Sequence, residues 1–256
     1  MPEATWKPGA VVVTGGTGGI GAAICRQFAE LGVDVAFTYR SRTEEAHELA
    51  GELRSSGVRA EAAAVDLIDA EATAEYLGGV AETFGGVHTV VHAAGPHIPM
   101  VHLSTVPPAQ FRSAVDGEVT AFFTLVTAAL PELRRTAGSV VAVTTAATSR
   151  YPVRDGLSAG PKAAVESLVR AFAAEEGRFG VRLNSVGPGM LTDGMADRLI
   201  STGELDERAL AVTRGNIPLR RFGRATDIAE AVVFLASDRA GFISGQKLDV
   251  DGGYGV

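Results

Sequence analysis

The stretch TGGTGGIG, residues 14–21, decides the fold. It begins at the end of the apolar run AVVVTG (10–15) and leads into AAICRQFAELG, a segment with helical period. Glycines at 15, 19 and 21 let the turn tighten, let the backbone approach a pyrophosphate and let the helix pack closely on the strand. The amino terminus of that helix attracts phosphate charge. We therefore predict a strand–turn–helix unit that binds a dinucleotide.

Apolar runs of similar length alternate along the chain with longer segments of helical period. Because the runs lack polar alternation, they are predicted to be strands buried on both faces. Repetition of strand, helix and strand predicts right-handed crossovers and a parallel sheet with helices on both faces. The fold class is therefore α/β, with one doubly wound, Rossmann-type domain over residues 1–256 and a substrate lid expected at 187–217. The seven predicted strands are 10–15, 33–40, 60–67, 87–95, 138–146, 181–189 and 246–253.

Composition limits the class of protein and of ligand. The chain has 256 residues, of which 46% are hydrophobic, so it can bury a large core. No apolar run approaches the roughly 20 residues of a membrane helix, and no signal segment opens the chain, so we expect no membrane and a cytoplasmic location. The net charge of -7 disfavours nucleic acid and favours a small-molecule substrate. The single cysteine, Cys25, is interpreted as a small apolar residue on a packed helix.

Four further motifs accompany the glycine turn. Asp66 lies in VDL, HAAG spans 92–95 and GPG spans 187–189. The stretch IPLRRFGRATDIAEAVVFLASDRAGFISGQKLDVDGG spans 217–253. Together with Gly-x-x-x-Gly-x-Gly, these motifs resemble the short-chain dehydrogenase/reductase family over nearly the whole chain. The resemblance implies an oxidoreductase that assembles as a homotetramer or homodimer through its long helices and final strand. It implies cofactor contacts from Gly15, Thr17, Gly19, Ile20, Gly21, Asp66, Leu67, Ala94, Gly95, Lys162, Pro188, Gly189 and Thr192.

The end of the second strand indicates which nicotinamide cofactor is used. It reads YRSR, whereas a Rossmann-type site that prefers NAD places a carboxylate there for the ribose 2′-hydroxyl. Arg40, with Ser41 and Arg42 beside it, is suited to charge-assisted hydrogen bonds with a 2′-phosphate. We therefore predict NADPH as the cofactor.

The four catalytic positions implied by the resemblance are altered. Where the family has Asn, Ser, Tyr and Lys, alignment places Glu118, Thr145, Ser158 and Lys162. The spacing is kept, with 13 residues from Thr145 to Ser158 and four more to Lys162. The chain has only three lysines, which makes a lysine at this position by chance improbable and favours a role for Lys162 at the nicotinamide ribose.

Ser158 cannot do the work of the family tyrosine, because an alkyl hydroxyl is shorter and a much poorer acid than a phenol. It could instead be the N-cap of the helix that contains Pro161. In one hypothesis another acid replaces the tyrosine, with His97, His102 and Tyr151 as candidates.

Two other hypotheses need no acid. In the first, the substrate is an iminium, which accepts hydride directly and is stabilised by the carboxylate of Glu118. Such a substrate suggests tailoring or inactivation of a natural product that carries a hemiaminal. In the second, the protein binds NADPH without turnover, as a sensor or a partner subunit. A metal site is not predicted, because His88 and His92 are expected in a strand and no set of Cys or carboxylate ligands completes a site.

Overall fold

The computed structural model describes residues 6–192 and 207–256, and these residues form one seven-stranded sheet. The strand order is β3-β2-β1-β4-β5-β6-β7, and every neighbouring pair is parallel. The doubly wound α/β prediction is therefore confirmed. The strands are β1 Ala10–Thr14, β2 Val35–Tyr39, β3 Ala60–Ala64, β4 Val87–His92, β5 Ser139–Val143, β6 Arg182–Pro188 and β7 Lys247–Val250.

Helices cover both faces of the sheet, and successive residues of β1 show how. Val11 and Val13 pack with α1, α2 and α8, whereas Ala10 and Val12 pack with α3, α5 and α6. This is the alternation expected of a strand buried on both sides. The described helices are α1 Gly19–Glu30, α2 Thr43–Ser55, α3 Ala70–Phe84, α4 Pro108–Val115, α5 Ala121–Thr136, α6 Gly156–Glu176, α7 Glu207–Asn216 and α8 Ala225–Ala236.

The strand order reverses at β1, because β2 lies on one side of it and β4 on the other. At such a point the connections leave the sheet in opposite directions and open a crevice at the carboxyl ends of the strands. The glycine turn 14–21 leaves β1 at this crevice. The fold therefore places the predicted dinucleotide turn where ligands bind in doubly wound sheets.

The edges of the sheet differ from the sequence prediction. Strands β3 and β7 were expected to be buried on both faces, but Glu61 and Ala64 of β3 and Leu248 of β7 are exposed. An edge strand is covered by fewer helices, and its alanines gave no polar alternation that could reveal this. Cys25 lies fully buried on α1, which confirms its interpretation as a packing residue.

One helical stretch, residues 108–136, is long and apolar enough to cross a membrane by length and composition alone. A helix of this length and apolar composition was not predicted from the sequence, because polar residues interrupt the apolar positions. Phe122, Leu125 and Leu133 of this stretch are fully buried in the core against the sheet. The apolar character of the stretch is therefore that of a core helix.

The predicted lid, 187–217, is only partly described, and residues 193–206 lie outside the described residues. Within the described part, the segment begins inside a strand, as the predicted strand 181–189 implies, and ends in a helix that was not predicted. Strand β6 extends to Pro188, and α7 spans Glu207–Asn216. Whether the segment covers a substrate stays a prediction.

Candidate active site

The glycine turn after β1 needs glycine for steric reasons. Gly15 has φ +69°, and a Cβ atom there would lie 2.7 Å from Cα of Ala94. A Cβ atom at Gly21 would lie 2.2 Å from the carbonyl oxygen of Gly15. Helix α1 then begins at Gly19 with no side-chain cap and no acidic residue in its first turn. Its amino terminus is therefore suited to an anion.

A cavity of about 230 Å³ opens beside this turn, at the carboxyl ends of β1, β2 and β4. Eight predicted cofactor residues line it: Gly15, Thr17, Arg40, Ser41, Asp66, Leu67, Ala94 and Gly95. The lining also includes Gly18, Thr38, Tyr39, Arg42, Val65, Ile68, Ala93, Pro96, Gly117 and Ala121. Most of these were missed. Val65 and Ala93 directly follow strands, a position that could have indicated them. The other predicted contacts, Gly19, Ile20, Gly21, Lys162, Pro188, Gly189 and Thr192, do not line this cavity.

Cationic side chains stand at one end of the cavity. Arg40 and Arg42 are exposed after β2, with Ser41 between them. Neither guanidinium has an ion pair with another described residue. Asp66 stands across the cavity after β3, where its carboxylate accepts a hydrogen bond from the Ile68 amide at 3.2 Å. This end of the cavity can bind an anionic group.

Thr14 and the buried His92 form a hydrogen-bonded group with the backbone that follows β4. Thr14 Oγ1 accepts hydrogen bonds from the amides of Ala93 and Ala94, both at 3.2 Å, and lies 3.2 Å from Nδ1 of His92. Burial, together with the charge of Lys162, lowers the pKa of His92 to about 3, so its ring is neutral. The Thr14 hydroxyl can then donate to Nδ1. His88 and His92 both lie in β4, as predicted.

Glu118 and Lys162, predicted at two altered catalytic positions, are brought together. Glu118 lies in a π-helical turn, Asp116–Thr120, between α4 and α5, and its carboxylate accepts a hydrogen bond from Nζ of Lys162. The side chains are only 3% and 17% exposed, respectively. Burial raises the pKa of Glu118 and Lys162 opposes that rise. A Cβ atom at Gly95 would lie 2.8 Å from Oε1 of Glu118, so the ion pair borders the cofactor cavity.

Thr145 lies just after β5, and Ser158 lies in the first turn of α6, the helix that contains Lys162. Thr145 Oγ1 accepts a hydrogen bond from the Ala147 amide at 3.1 Å, in the short turn after β5. Ser158 lies inside the first turn of α6, and its amide donates to the backbone carbonyl of Asp155 at 3.0 Å. The N-cap prediction for Ser158 is therefore wrong, because α6 begins two residues earlier and Asp155 is its N-cap.

The proposed substitute acids lie on exposed loops. His97 and His102 are exposed in the segment after β4, and Tyr151 is 60% exposed after β5. A Cβ atom at Gly156 would lie 2.6 Å from Leu103, so the segment with the two histidines packs across the first turn of α6. None of the three makes a side-chain hydrogen bond to Ser158 or Lys162 in the described structure. Their role stays a prediction.

The sequence analysis missed a second lysine cluster, centred on Lys247 of β7. Its ammonium lies 2.9 Å from Oδ1 of Asp249 and 3.4 Å from Oε1 of Glu166, and donates to Ser149 at 3.1 Å. Thr148 also donates to Glu166 at 2.9 Å. These contacts tie the turn after Thr145 to α6 and β7. Among the described residues, no group of three or more His, Cys, Asp or Glu side chains is placed to hold a metal ion.

Asp155 was also missed, and it differs from a second aspartate in the same structural position. Asp69, the N-cap of α3, accepts hydrogen bonds from the amides of Glu71 and Ala72, both at 3.0 Å. The carboxylate of Asp155 makes no such bond, although Asp155 is the N-cap of α6. Burial raises the pKa of Asp155, and the charge of Lys162 opposes the rise.

Comparisons with known proteins agree with this geometry. A family model described as enoyl-(acyl carrier protein) reductase matches residues 15–255. The 3-oxoacyl-[acyl-carrier-protein] reductase FabG of Staphylococcus aureus (strain Mu50 / ATCC 700699) is 32% identical over 243 residues, covering 94% of this chain and 96% of that protein.

Two solved structures extend the likeness to the whole fold. A short-chain type dehydrogenase/reductase from Mycobacterium ulcerans has a TM-score of 0.90 and 28% identity, covering 98% of this chain and 91% of that one. A short chain dehydrogenase from Burkholderia cenocepacia J2315, solved in complex with NADP, has a TM-score of 0.87 and 28% identity over 100% of both chains.

Proposed function

The chain belongs to the short-chain dehydrogenase/reductase family of oxidoreductases, and on that premise we propose that it uses NADPH to reduce a C=N or C=O group of a small molecule. One observation carries the proposal: the buried ion pair of Glu118 and Lys162 borders a cavity lined by the predicted cofactor residues. The site therefore joins a dinucleotide cradle to charged groups that can act on a substrate.

The cavity fits NADPH in three respects. The turn after β1 has no side chains at Gly15 and Gly18, so a pyrophosphate can approach the backbone. Helix α1 presents an uncapped amino terminus to that phosphate. Arg40 and Arg42 offer guanidinium groups to a 2′-phosphate, and no carboxylate stands beside them in the cavity lining after β2. The similar Burkholderia cenocepacia protein was solved with NADP, which supports the same cofactor here.

When bound, NADPH supplies the hydride for the reduction. The chain's own part is to orient the acceptor and to balance its charge. Lys162 places a cation next to the cavity, held by Glu118, and Thr145 and Ser158 add short hydroxyl groups on the neighbouring elements. No phenol occupies the position of Ser158, so the acceptor either needs no proton, as an iminium does, or takes its proton from another residue.

The iminium form of the proposal keeps the role in natural-product tailoring or inactivation that the sequence suggested. A hemiaminal in equilibrium with an iminium would offer a carbon that accepts hydride without an acid. The carboxylate of Glu118 supports this form, because a cationic acceptor is stabilised by nearby negative charge. Because Glu118 is paired with Lys162, it stabilises a cationic acceptor less than an unpaired carboxylate would.

The test is transfer of deuterium from NADPH labelled at nicotinamide C4. The purified protein is incubated with the N-methyl-3,4-dihydroisoquinolinium cation and with ethyl acetoacetate, and products are read by mass spectrometry and NMR. Deuterium at the carbon next to nitrogen supports an iminium acceptor, and deuterium at a new alcohol carbon supports a carbonyl acceptor. A wider panel of cyclic iminium ions and ketones follows if neither is reduced.

The alternative function is a non-catalytic NADPH binder that serves as a sensor or partner subunit. The observation that favours it is Ser158, a short hydroxyl where the family acts through a phenol. Tight NADPH binding without deuterium transfer to any member of the panel would replace the reductase proposal with this one.

A further inference from the structure

Asp155, the N-cap of α6, lies three residues before Ser158, in the turn over which a longer side chain at position 158 would extend. Side chains on a helix lean toward its amino terminus and cover the turn that precedes their own Cα atom. A long side chain at Ser158 would therefore extend over the turn that contains Asp155. With serine there, that space is free for the carboxyl group of Asp155.

Asp155, Ser158 and Lys162 share one face of α6. Their spacings of three and four residues place neighbours on the same side of a helix. The charge of Lys162 opposes the rise that burial causes in the pKa of the Asp155 carboxyl, in agreement with this shared face. Lys162 borders the cofactor cavity through Glu118 and Gly95. Lys162 therefore connects this face of α6 to the border of the cofactor cavity.

The Asp155 carboxyl is left without the partners that its position would normally give it. An N-cap aspartate usually accepts hydrogen bonds from the first helical amides, as Asp69 does in α3. At α6 the Ser158 and Ala159 amides donate instead to the backbone carbonyl of Asp155, at 3.0 and 2.9 Å. The side chain is half-buried and makes no capping bond, so it can contact a substrate.

The charges around Asp155 favour a group that can hold and release a proton. Glu118 and Asp155 are two carboxyl groups on which the charge of Lys162 acts, since it opposes the rise in the pKa of each. Of the two, Glu118 forms the direct ion pair with Lys162. Burial of Asp155 disfavours a second negative charge, which raises the pKa of this carboxyl above that of an aspartate in water.

We propose that Asp155 is the general acid that replaces the family tyrosine, donating a proton to the acceptor atom beside Lys162. This inference rests on the proposed reductase function. In the step, the acceptor carbon gains a hydride and the π electrons of C=O move to oxygen. A bond forms between that oxygen and the proton of Asp155, while the O–H bond of the carboxyl group breaks. The carboxylate that remains is stabilised by Lys162 and regains a proton from water through its exposed side.

Asp155→Asn tests the proton step while keeping the size of the side chain. For ethyl acetoacetate, kcat should fall by about 10²- to 10⁴-fold, the usual loss when a general acid is removed. Reduction of the N-methyl-3,4-dihydroisoquinolinium cation needs no proton, so its kcat should change less than about threefold, and the NADPH dissociation constant should stay the same. Asp155→Glu should recover part of the ketone activity. Asp69→Asn, the same change at the other N-cap, should leave both rates unchanged.

Equal losses for the ketone and the iminium ion, or no loss for the ketone, would overturn the assignment of Asp155. A second measurement tests the proposal even if a variant folds poorly or the protein reduces neither probe. In protein labelled with ¹³C at aspartate carboxyl carbons, the signal absent from Asp155→Asn identifies residue 155. That signal should shift in Lys162→Met without any substrate. An unchanged signal would show that Asp155 does not face Lys162 and would end the proposal, whereas failed deuterium transfer with a shifted signal would count only against the reductase function.

Discussion

At the scale of single residues, the cofactor preference depends on Arg40. Its guanidinium is exposed at the cavity and has no ion pair with another described residue, so a 2′-phosphate would meet a free cation. We expect NADPH to bind at least about tenfold tighter than NADH, which corresponds to roughly 1.4 kcal/mol. Arg40→Ala should remove most of that difference, as measured by calorimetric titration of both cofactors.

A matched arginine separates the local effect from the general charge of the protein. Arg26 lies on α1 and pairs with Glu52, away from the cavity lining. Arg26→Ala removes the same charge and should leave the ratio of the two affinities unchanged. Equal affinities of the unaltered protein for NADPH and NADH would contradict the role of Arg40.

The ion pair of Glu118 and Lys162 makes a second residue-scale prediction, about stability. The sequence analysis assigned Lys162 to the ribose of the cofactor, but in the structure its side chain also neutralises a buried carboxylate. Breaking such a pair by removing one partner costs about 3–5 kcal/mol. Lys162→Met should therefore lower the free energy of unfolding near neutral pH, in addition to any effect on cofactor binding.

The pH dependence of this loss follows from the pKa of Glu118. Burial already raises that pKa, and removing Lys162 removes the charge that opposes the rise. A carboxyl group whose pKa is higher in the folded state gives stability below its unfolded pKa and loses it as pH rises through the folded value. Lys162→Met should thus lose stability as pH increases above about 4, the unfolded value for glutamate. Urea unfolding between pH 4 and 8 measures this, and the added change Glu118→Gln should make the curve flatter.

At the scale of secondary-structure elements, α1 is held against β1 by a contact that only glycine permits. A Cβ atom at Gly21 would lie 2.2 Å from the carbonyl oxygen of Gly15, a backbone atom that cannot move aside without changing the turn. Gly21→Ala should therefore destabilise the protein and weaken NADPH binding. Gly51 lies within α2, and a Cβ atom there would have no neighbour within 4 Å.

Gly51→Ala is the matched control, because the same methyl group is added to a helix with open space. It should stabilise the protein by about 0.5–1 kcal/mol, the usual gain for alanine over glycine inside a helix. Thermal unfolding and NADPH titration of both variants test the pair. A Gly21→Ala protein as stable as Gly51→Ala would show that the close contact in α1 is not required.

The sheet and the glycine turn could be predicted from the sequence, whereas the central ion pair and the start of α6 could not. The glycine turn and the apolar runs predicted the sheet because strand burial and turn sterics are local properties of the chain. The pairing of Glu118 with Lys162 could not be predicted, because it joins residues 44 positions apart and depends on a π-helical turn, Asp116–Thr120. Ser158 was predicted as a possible N-cap, whereas α6 begins earlier, at Gly156 with Asp155 as its N-cap, since helix starts are fixed by tertiary packing as well as by capping residues.

At the scale of the whole molecule, the doubly wound sheet collects residues from distant parts of the chain at one edge. The glycine turn, the ends of β2 and β4, the π-helical turn and the first turn of α6 all meet there. Phe123 and Phe172 lie outside the lining of the cofactor cavity. Phe123 of α5 is 49% exposed, and its ring centroid lies 5.8 Å from that of Phe172 on α6.

Phe123 is an exposed aromatic side chain on α5, which lies beside the long helix α6. Such a surface suits association with a second copy of the chain, as the family resemblance implies. We expect the protein to be a homodimer or homotetramer in solution, and Phe123→Glu to shift it toward smaller species, because a charge would be buried at the contact. Leu31→Glu is the control, since Leu31 is similarly exposed, at 45%, but lies at the end of α1. Light scattering coupled to size-exclusion chromatography gives the mass of each variant. A monomeric unaltered protein, or a Phe123→Glu protein of unchanged mass, would rule out this face as the contact.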